Sequence, residues 1–246
     1  MSDPFRLDGK IALVTGACGA IGSATATMLV ARGARVIAVD RPGSDFSALD
    51  TVLNVAADVT DEAAVRDYVA KAIDAAGRID IFFSNAGVEG PVMPIQDYAF
   101  ADFRRVFAVN VDGIFLGMKY VVPVMLAQSS GSIINTSSVA GMAGSPGMAA
   151  YVASKHAVIG LTRVVAKEVA AHGIRVNCVN PGPITGRMMT SLDEEAGIKP
   201  DARAQFIPAK RYGNADEVAA TVAFLASDAA RYVTGAIHPV DGGLTA

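Results

Sequence analysis

The chain has 246 residues, of which 52% are hydrophobic and 7% aromatic, and it contains 24 glycines. This composition suits one α/β domain with a core of small aliphatic side chains, and no composition shift divides residues 1–246. A net charge of −3 without a block of like charge argues against binding to nucleic acid or to an anionic membrane. Charged residues such as Lys119 interrupt the longest apolar runs, and the N-terminus lacks the apolar core of a signal peptide. We therefore expect a cytoplasmic protein without a membrane span.

Neither the cysteines nor the histidines are spaced as metal ligands. Cys18 and Cys178 lie far apart without a CxxC pattern, and His156, His172 and His238 form no HExxH frame. We expect two reduced thiols and no metal site.

The first forty residues have the order of a nucleotide-binding βαβ unit. An apolar run at 10–14 leads into TGACGAIG at 15–22 and then into an Ala-rich stretch, which predicts a strand, a glycine loop and a helix. The glycines let backbone N–H groups approach a pyrophosphate at the positive end of that helix. A second predicted strand at 35–40 ends in Asp40, where a carboxylate can accept hydrogen bonds from a ribose diol. The sequence therefore predicts a dinucleotide site.

The residue at the tip of the second strand also bears on which dinucleotide binds. A carboxylate at Asp40 accepts hydrogen bonds from a free 2′-hydroxyl and repels a 2′-phosphate, which favours NAD over NADP. Arg41 is the counter-argument, because its guanidinium could receive that phosphate or could be a solvated turn residue before Pro42. We give the carboxylate more weight and expect NAD.

Strands and helices alternate along the rest of the chain. We predict further strands at 52–56, 79–83, 131–136 and 174–179, and helices at about 61–76, 98–127 and 148–170. Such alternation predicts a single-domain, Rossmann-type, doubly wound parallel sheet with helices on both faces. Ligands bind such sheets at the carboxyl ends of the strands. The residues expected at those ends are Thr15, Asp40, Asp58, Asn85, Ser138 and Pro181.

The predicted helix at 148–170 carries Tyr151 and Lys155 four residues apart, so both side chains lie on one face. Alone, such a pair is typical of a helix surface. In a partly dry site, however, a neighbouring ammonium favours the phenolate form of a tyrosine, which would make Tyr151 usable as a proton acceptor and donor.

Over nearly its whole length the sequence resembles the short-chain dehydrogenases/reductases. The resemblance rests on TGACGAIG, the Asp-Val pair at 58, SNAG at 84–87, the YxxxK at 151–155, NPG at 180–182 and the closing VTGAIHPVDGG. It implies a catalytic tetrad of Asn110, Ser138, Tyr151 and Lys155. In that tetrad Ser138 holds the substrate oxygen, Tyr151 exchanges the proton, and Asn110 holds a water that relays the proton outward.

The resemblance also implies the residues that hold the cofactor. Asp58 and Val59 would cradle the adenine, Asn85 and Gly87 would lie under the adenosine ribose, and Lys155 would bond the nicotinamide ribose. The remaining implied cofactor positions, together with Asp40 and Tyr151, are Gly16, Gly19, Ile21, Gly22, Pro181, Gly182, Ile184 and Thr185.

Three positions depart from the family pattern. Ala20 stands where the middle glycine of the loop is usual, and Ser84 replaces the common first Asn of NNAG. Gly186 occupies the place of a Thr that bonds the nicotinamide carboxamide, so Thr185 is only a candidate for that role.

The segment at about 185–208 is long and mixes apolar with charged residues, as expected of a substrate lid or of a helical surface excursion. The candidate pocket residues are Val88, Met142, Ser145, Met148, Met188 and Met189. Methionines suit an adaptable apolar pocket, so we expect a secondary alcohol or ketone with a hydrophobic or cyclic body. Weaker similarity to levodione and cyclic-ketone reductases agrees with this.

Two alternatives remain open at this point. Reductases of 3-oxoacyl-acyl-carrier protein share the scaffold, although they usually use NADPH and need a basic surface for an acidic partner. A non-catalytic NAD-binding sensor is the alternative from another class, and the complete tetrad speaks against it. The resemblance also implies a homotetramer that uses helices 98–127 and 149–172 at one interface and the C-terminal region at another.

Overall fold

In the computed structural model, which describes residues 3–246, seven strands form one parallel sheet in the order β3-β2-β1-β4-β5-β6-β7. The strands are β1 (Ile11–Thr15), β2 (Arg35–Asp40), β3 (Leu53–Ala56), β4 (Ile81–Ser84), β5 (Gly131–Thr136), β6 (Ile174–Pro181) and β7 (Ile237–Val240). The order reverses between β1 and β4, and a parallel doubly wound sheet binds ligands at such a point. The predicted fold class is confirmed.

Residues 3–246 form eight α-helices, five of which pack on the two faces of the sheet. The eight are α1 (Ala20–Ala31), α2 (Glu62–Ala76), α3 (Phe100–Phe107), α4 (Gly113–Gln128), α5 (Ala149–Val169), α6 (Arg187–Ala196), α7 (Pro200–Ala204) and α8 (Ala215–Ala226). One apolar cluster includes buried residues of α2, α4 and α5 under one face, and a second includes residues of α1 and α8 under the other. The strands supply hydrophobic residues to both clusters, as is typical of a parallel sheet that is buried on both faces.

The helix expected at 98–127 is a single rod with a defect. It runs as α3 and α4, which are joined by a π-helical turn at Ala108–Asp112. Asn110 lies at the centre of that turn and is buried. A π turn inserts one extra residue into the hydrogen-bond ladder and is often found at functional sites.

The helix formed by α3 and α4 has the length and composition of a membrane span, which the interrupted apolar runs of the sequence did not lead us to expect. Phe100–Gln128 has 29 residues, and an 18-residue stretch within it has a mean hydropathy of 1.4, so by length and composition this helix could cross a membrane. The charges of Asp112 and Lys119, which lie in the more apolar part of the helix, are too few to lower that average. In the fold, 44% of this apolar stretch is buried, and residues of α4 pack into the cluster under the sheet. This helix is therefore a core helix of the domain.

Candidate functional site

The glycine loop between β1 and α1 can accept an anionic group. Gly16 has φ +62°, and a Cβ at Gly22 would lie 2.0 Å from the Gly16 carbonyl oxygen. α1 begins with no side-chain cap at Gly19 and has no acidic residue in its first turn, so its backbone N–H groups are free of side-chain competitors. Ala20 is the first helical residue, which explains why a methyl group is accommodated there.

The Asp40 carboxylate is held in a fixed orientation at the tip of β2. One oxygen accepts hydrogen bonds from the Arg41 N–H at 2.8 Å and the Ser44 hydroxyl at 2.7 Å. The other oxygen accepts the Cys18 N–H at 2.8 Å, which ties the strand tip to the glycine loop. Burial and the charge of Asp40 raise the pKa of the Cys18 thiol to about 11. Together, the uncapped helix and the oriented carboxylate fit the pyrophosphate and a ribose of a nicotinamide dinucleotide.

The expected adenosine contacts lie along the same edge of the sheet. The exposed Asp58 accepts the Thr60 N–H at 2.9 Å. Val59 packs against Gly113, where an added Cβ would lie 2.9 Å from the Val59 side chain. Asn85 donates to the backbone oxygens of Thr15 and Gly16 at 3.3 and 3.2 Å. The end of β4 and the start of the glycine loop are thereby held together.

Tyr151, Lys155 and Ser138 meet at the ends of β5 and α5, and all three are buried. The Lys155 Nζ atom lies 5.6 Å from the centre of the Tyr151 ring and donates to the Thr136 carbonyl oxygen at 2.9 Å. Ser138 caps the turn after β5 by accepting the Ala140 N–H at 3.1 Å, and its hydroxyl donates to the Pro181 carbonyl oxygen at 3.4 Å. The structure thus brings together a hydroxyl, a phenol and an ammonium.

The charge balance differs from our expectation that the ammonium would favour the phenolate. Burial raises the pKa of Tyr151, and the Ser138 hydroxyl opposes this only in part. Burial also lowers the pKa of Lys155 to about 8. Because both groups are withdrawn from water, desolvation outweighs the attraction between the two charged forms.

Asn110 joins the same cluster through its side-chain amide. The amide oxygen accepts the Val88 N–H at 2.8 Å, and the amide nitrogen donates to the Val88 oxygen at 2.9 Å and to the Ser154 hydroxyl at 3.1 Å. These bonds use both amide donors. The amide thereby holds the chain after β4 against α5, and the implied role of Asn110 in holding a water stays a prediction.

Four polar residues support the cluster and were not singled out from the sequence. The Ser154 hydroxyl donates to the backbone carbonyl oxygen of Tyr151 at 2.7 Å, and the Ser137 hydroxyl donates to the backbone carbonyl oxygen of Lys155 at 2.9 Å. Asn180 donates to the Ser138 oxygen at 2.8 Å, while Thr136 supplies the acceptor for Lys155. Their position at or near the predicted strand ends was the only signal in the sequence that could have indicated them, since isolated Ser, Thr and Asn residues form no recognisable motif.

After β6, Thr185 is hydrogen-bonded to a neighbouring turn at residues 213–214. Its hydroxyl donates to the Asn214 side-chain oxygen at 3.2 Å, and its N–H donates to the Gly213 oxygen at 2.9 Å. Ile184 forms a parallel bridge with Gly213. The hydroxyl donates within this turn and can still accept a hydrogen bond, so the candidate role of Thr185 toward the nicotinamide carboxamide stays a prediction.

The predicted pocket residues come from three segments that meet beside Tyr151. Residues 88–93 contact residues 142–148 through the Met93 N–H and the Gly147 oxygen at 2.9 Å, and α6 contacts them through Glu195 and the Val92 N–H at 3.1 Å. The half-buried members are Val88, Met148, Met188 and Met189, and the exposed members are Met142 and Ser145.

Comparison with known proteins agrees with this geometry. A family model described as enoyl-(acyl carrier protein) reductase matches residues 16–245. Levodione reductase from Leifsonia aquatica is 42% identical, over 100% of this chain and 97% of that protein. The crystal structure of levodione reductase superposes with a TM-score of 0.92 at 40% identity, covering 97% of this chain and 98% of the other.

Two further proteins show the range of the relatives. The 3-oxoacyl-[acyl-carrier-protein] reductase FabG of Thermotoga maritima (strain ATCC 43589 / DSM 3109 / JCM 10099 / NBRC 100826 / MSB8) is 40% identical, over 98% of this chain and 99% of that protein. The structure of NAD⁺-bound xylitol dehydrogenase is similar with a TM-score of 0.90 at 36% identity, over 96% of this chain and 99% of the other. The chain belongs to the short-chain dehydrogenase/reductase family.

Proposed function

We propose that this chain is an NAD-dependent oxidoreductase that transfers a hydride between the cofactor and a secondary alcohol or ketone. The observation that carries the proposal is the buried cluster of Tyr151, Lys155 and Ser138 at the carboxyl edge of the sheet, beside the uncapped start of α1. A phenol that can gain and lose a proton next to a hydroxyl donor suits general acid–base catalysis on an alcohol oxygen.

When bound, the nicotinamide ring supplies the acceptor or donor of the hydride. Ser138 hydrogen-bonds the substrate oxygen, and the Tyr151 oxygen takes the hydroxyl proton during oxidation or returns it during reduction. The Ser138 hydroxyl lowers the pKa of Tyr151 and so offsets part of the rise that burial causes. Asn110 is a positioning residue, since it fixes Val88 and Ser154 around this pair.

The preference for NAD rests on Asp40. Its carboxylate is oriented by bonds from Cys18 and Ser44. A 2′-phosphate beside it would be repelled, whereas a 2′-hydroxyl can donate to it.

For the substrate we infer a hydrophobic or cyclic body, enclosed by residues 88–93, 142–148 and a lid at 185–208. The half-buried Met148, Met188 and Met189 support an adaptable apolar pocket. Similarity to levodione reductase supports a cyclic ketone or alcohol. Similarity to FabG keeps 3-oxoacyl-acyl-carrier protein as the second candidate, against which Asp40 and the net charge of −3 argue.

A screen of the purified protein tests these proposals. NAD and NADP would each be combined with linear, cyclic and aromatic secondary alcohols, and reduction would be tested with ketones and a 3-oxoacyl thioester. We expect turnover of cyclic alcohols with NAD. Activity confined to the thioester would favour the second candidate, and binding of NAD without turnover of any alcohol or ketone would favour a non-catalytic sensor.

We also infer a homotetramer whose subunits meet through the α3–α4 rod and α5 at one interface and through the C-terminal region at another. Exposed apolar side chains on those helices support the first interface, namely Phe100, Phe115, Leu126 and Val164.

A further inference from the structure

Glu89 is a carboxylate withdrawn from water without a hydrogen-bond partner. Its side chain is only 12% exposed, and Arg187 lies 3.8 Å from its Oε1 atom. That separation is too long for a hydrogen bond. Within residues 3–246, no hydrogen bond to the Glu89 carboxylate is found. A carboxylate in such a place loses hydration and gains little from the chain itself, which is typical of a group that meets a ligand.

The backbone on both sides of Glu89 is fixed. Val88 is clamped by the two hydrogen bonds to the Asn110 amide. Gly90 follows with φ +72°, and a Cβ there would lie 2.6 Å from the Val106 side chain. The position of Glu89 is therefore set by the same residue that organises the catalytic cluster, as expected of a group that recognises a substrate.

Glu89 lies between the reacting phenol and the segment proposed as a lid. Two residues before Glu89, a Cβ at Gly87 would lie 3.5 Å from the Lys155 Nζ atom, so this segment runs along the catalytic cluster. Its charged neighbour, Arg187, is the first residue of α6 and is largely exposed. A substrate held at Tyr151 would therefore have its body near a carboxylate and a guanidinium.

Glu89 and Arg187 together can hydrogen-bond a neutral hydroxyl group. A hydroxyl donates one hydrogen bond and accepts others, so it can donate to the Glu89 carboxylate and accept from the Arg187 guanidinium. An ammonium would be repelled by Arg187, a carboxylate would be repelled by Glu89, and a hydrocarbon would leave the buried carboxylate unpaired.

We propose that Glu89 and Arg187 bind a second hydroxyl of the substrate, so that the preferred alcohols are cyclic diols or hydroxyketones. This inference rests on the proposed oxidoreductase function. It assigns specificity to two residues outside the tetrad and concerns a part of the substrate that does not react.

The test compares NAD-linked oxidation of cyclohexanol with that of the 1,2-, 1,3- and 1,4-cyclohexanediols. In the unmodified protein, kcat/KM for the best diol should exceed that for cyclohexanol. Glu89→Gln and Glu89→Leu should reduce this ratio by about ten- to hundredfold, the value of a hydrogen bond to a charged group, with little change for cyclohexanol. Arg187→Met should reduce it in the same direction. Glu194→Gln, which removes an exposed carboxylate of the same helix α6, is the matched control and should leave the ratio unchanged.

The outcomes separate the inference from the function on which it rests. If the unmodified protein oxidises neither class of alcohol, the proposed function fails. If it oxidises cyclohexanol but the Glu89 variants keep the diol ratio, or lose both substrates equally, the inference is overturned. A preference for 4-aminocyclohexanol over the 1,4-diol would also overturn it, because the partner would then be an ammonium.

Discussion

At Tyr151 the fold withdraws a phenol from water, so the chemistry depends on one hydroxyl oxygen. Tyr151→Phe removes that oxygen while keeping the ring, and turnover should fall by at least about a hundredfold, the usual contribution of a general acid–base group. Cofactor binding, measured by NADH fluorescence titration, should be retained. Tyr232→Phe alters a fully exposed tyrosine and is the control. A Tyr151→Phe protein with most of its activity would remove Tyr151 from the catalytic role.

Lys155 makes the fold less stable than it could be. Burial lowers the pKa of Lys155 from 10.5 to about 8, which corresponds to about 3 kcal/mol at pH 7. The folded protein holds this proton more weakly than the unfolded chain does. Stability therefore rises with pH between pH 8 and 10.5, and the cost of the charge is fully present below pH 8.

Lys155→Met should therefore raise the free energy of unfolding at pH 7 by about 1 to 3 kcal/mol, the lost bond to Thr136 offsetting part of the gain. The difference between the two proteins should shrink toward pH 10. Urea unfolding at both pH values measures it, and Lys167→Met on the exposed face of α5 is the control. A difference that is the same at both pH values would contradict the assignment of the cost to the Lys155 charge.

Asp40 should decide the choice between the two dinucleotides. Asp40→Ser removes the charge that repels a 2′-phosphate, so the ratio of kcat/KM for NAD to that for NADP should fall by about tenfold or more. Asp45→Ser removes a nearby exposed carboxylate and should leave the ratio unchanged. An unmodified protein that prefers NADP would already refute the role given to Asp40.

Among the elements, the contact between β1, the glycine loop and α1 leaves no room for a side chain. Gly22→Ala would place a methyl group 2.0 Å from the Gly16 oxygen, and backbone has to move to relieve that overlap. We expect a destabilisation of about 1 to 3 kcal/mol and weaker NADH binding, measured by thermal unfolding and fluorescence titration. Gly144→Ala adds a methyl group in open space and should change neither. Normal NADH binding by Gly22→Ala would show that this close contact is dispensable.

The sequence predicted the elements where a repeated pattern exists. Six strands were found within a few residues because each is an apolar run bounded by turns. β7 was not identified as a strand, because its four residues include a proline and are only half-buried or exposed. The π turn around Asn110 was missed as well, since one extra residue does not disturb the helical pattern of apolar side chains.

The same limit applies to the candidate site. The tetrad was predicted from the resemblance to the family, while the residues themselves showed only the four-residue spacing of Tyr151 and Lys155 and a Ser138 after a strand. Glu89 could not be predicted, because one glutamate in a loop is unremarkable until the fold removes its water. The opposed pKa directions of Tyr151 and Lys155 also needed the structure, since burial decides them.

On the scale of the whole molecule, the candidate site lies at the carboxyl ends of the parallel strands. Residues far apart in sequence meet there because β1, β2, β4, β5 and β6 are parallel and end on one side. The other faces of the domain are then available for association. The helices proposed to meet in the tetramer carry exposed apolar residues, among them Phe115 and Val164.

Association through this surface can be tested without touching the site. Val164 is 54% exposed on α5, and a charge there should oppose burial against a second copy. Light scattering after gel filtration should give the mass of four 25.3 kDa chains for the unmodified protein and a smaller assembly for Val164→Glu. Val52→Glu, at the exposed start of the distant edge strand β3, should leave the mass unchanged. A monomeric unmodified protein would refute the tetramer, and a tetrameric Val164→Glu protein would place the interface elsewhere.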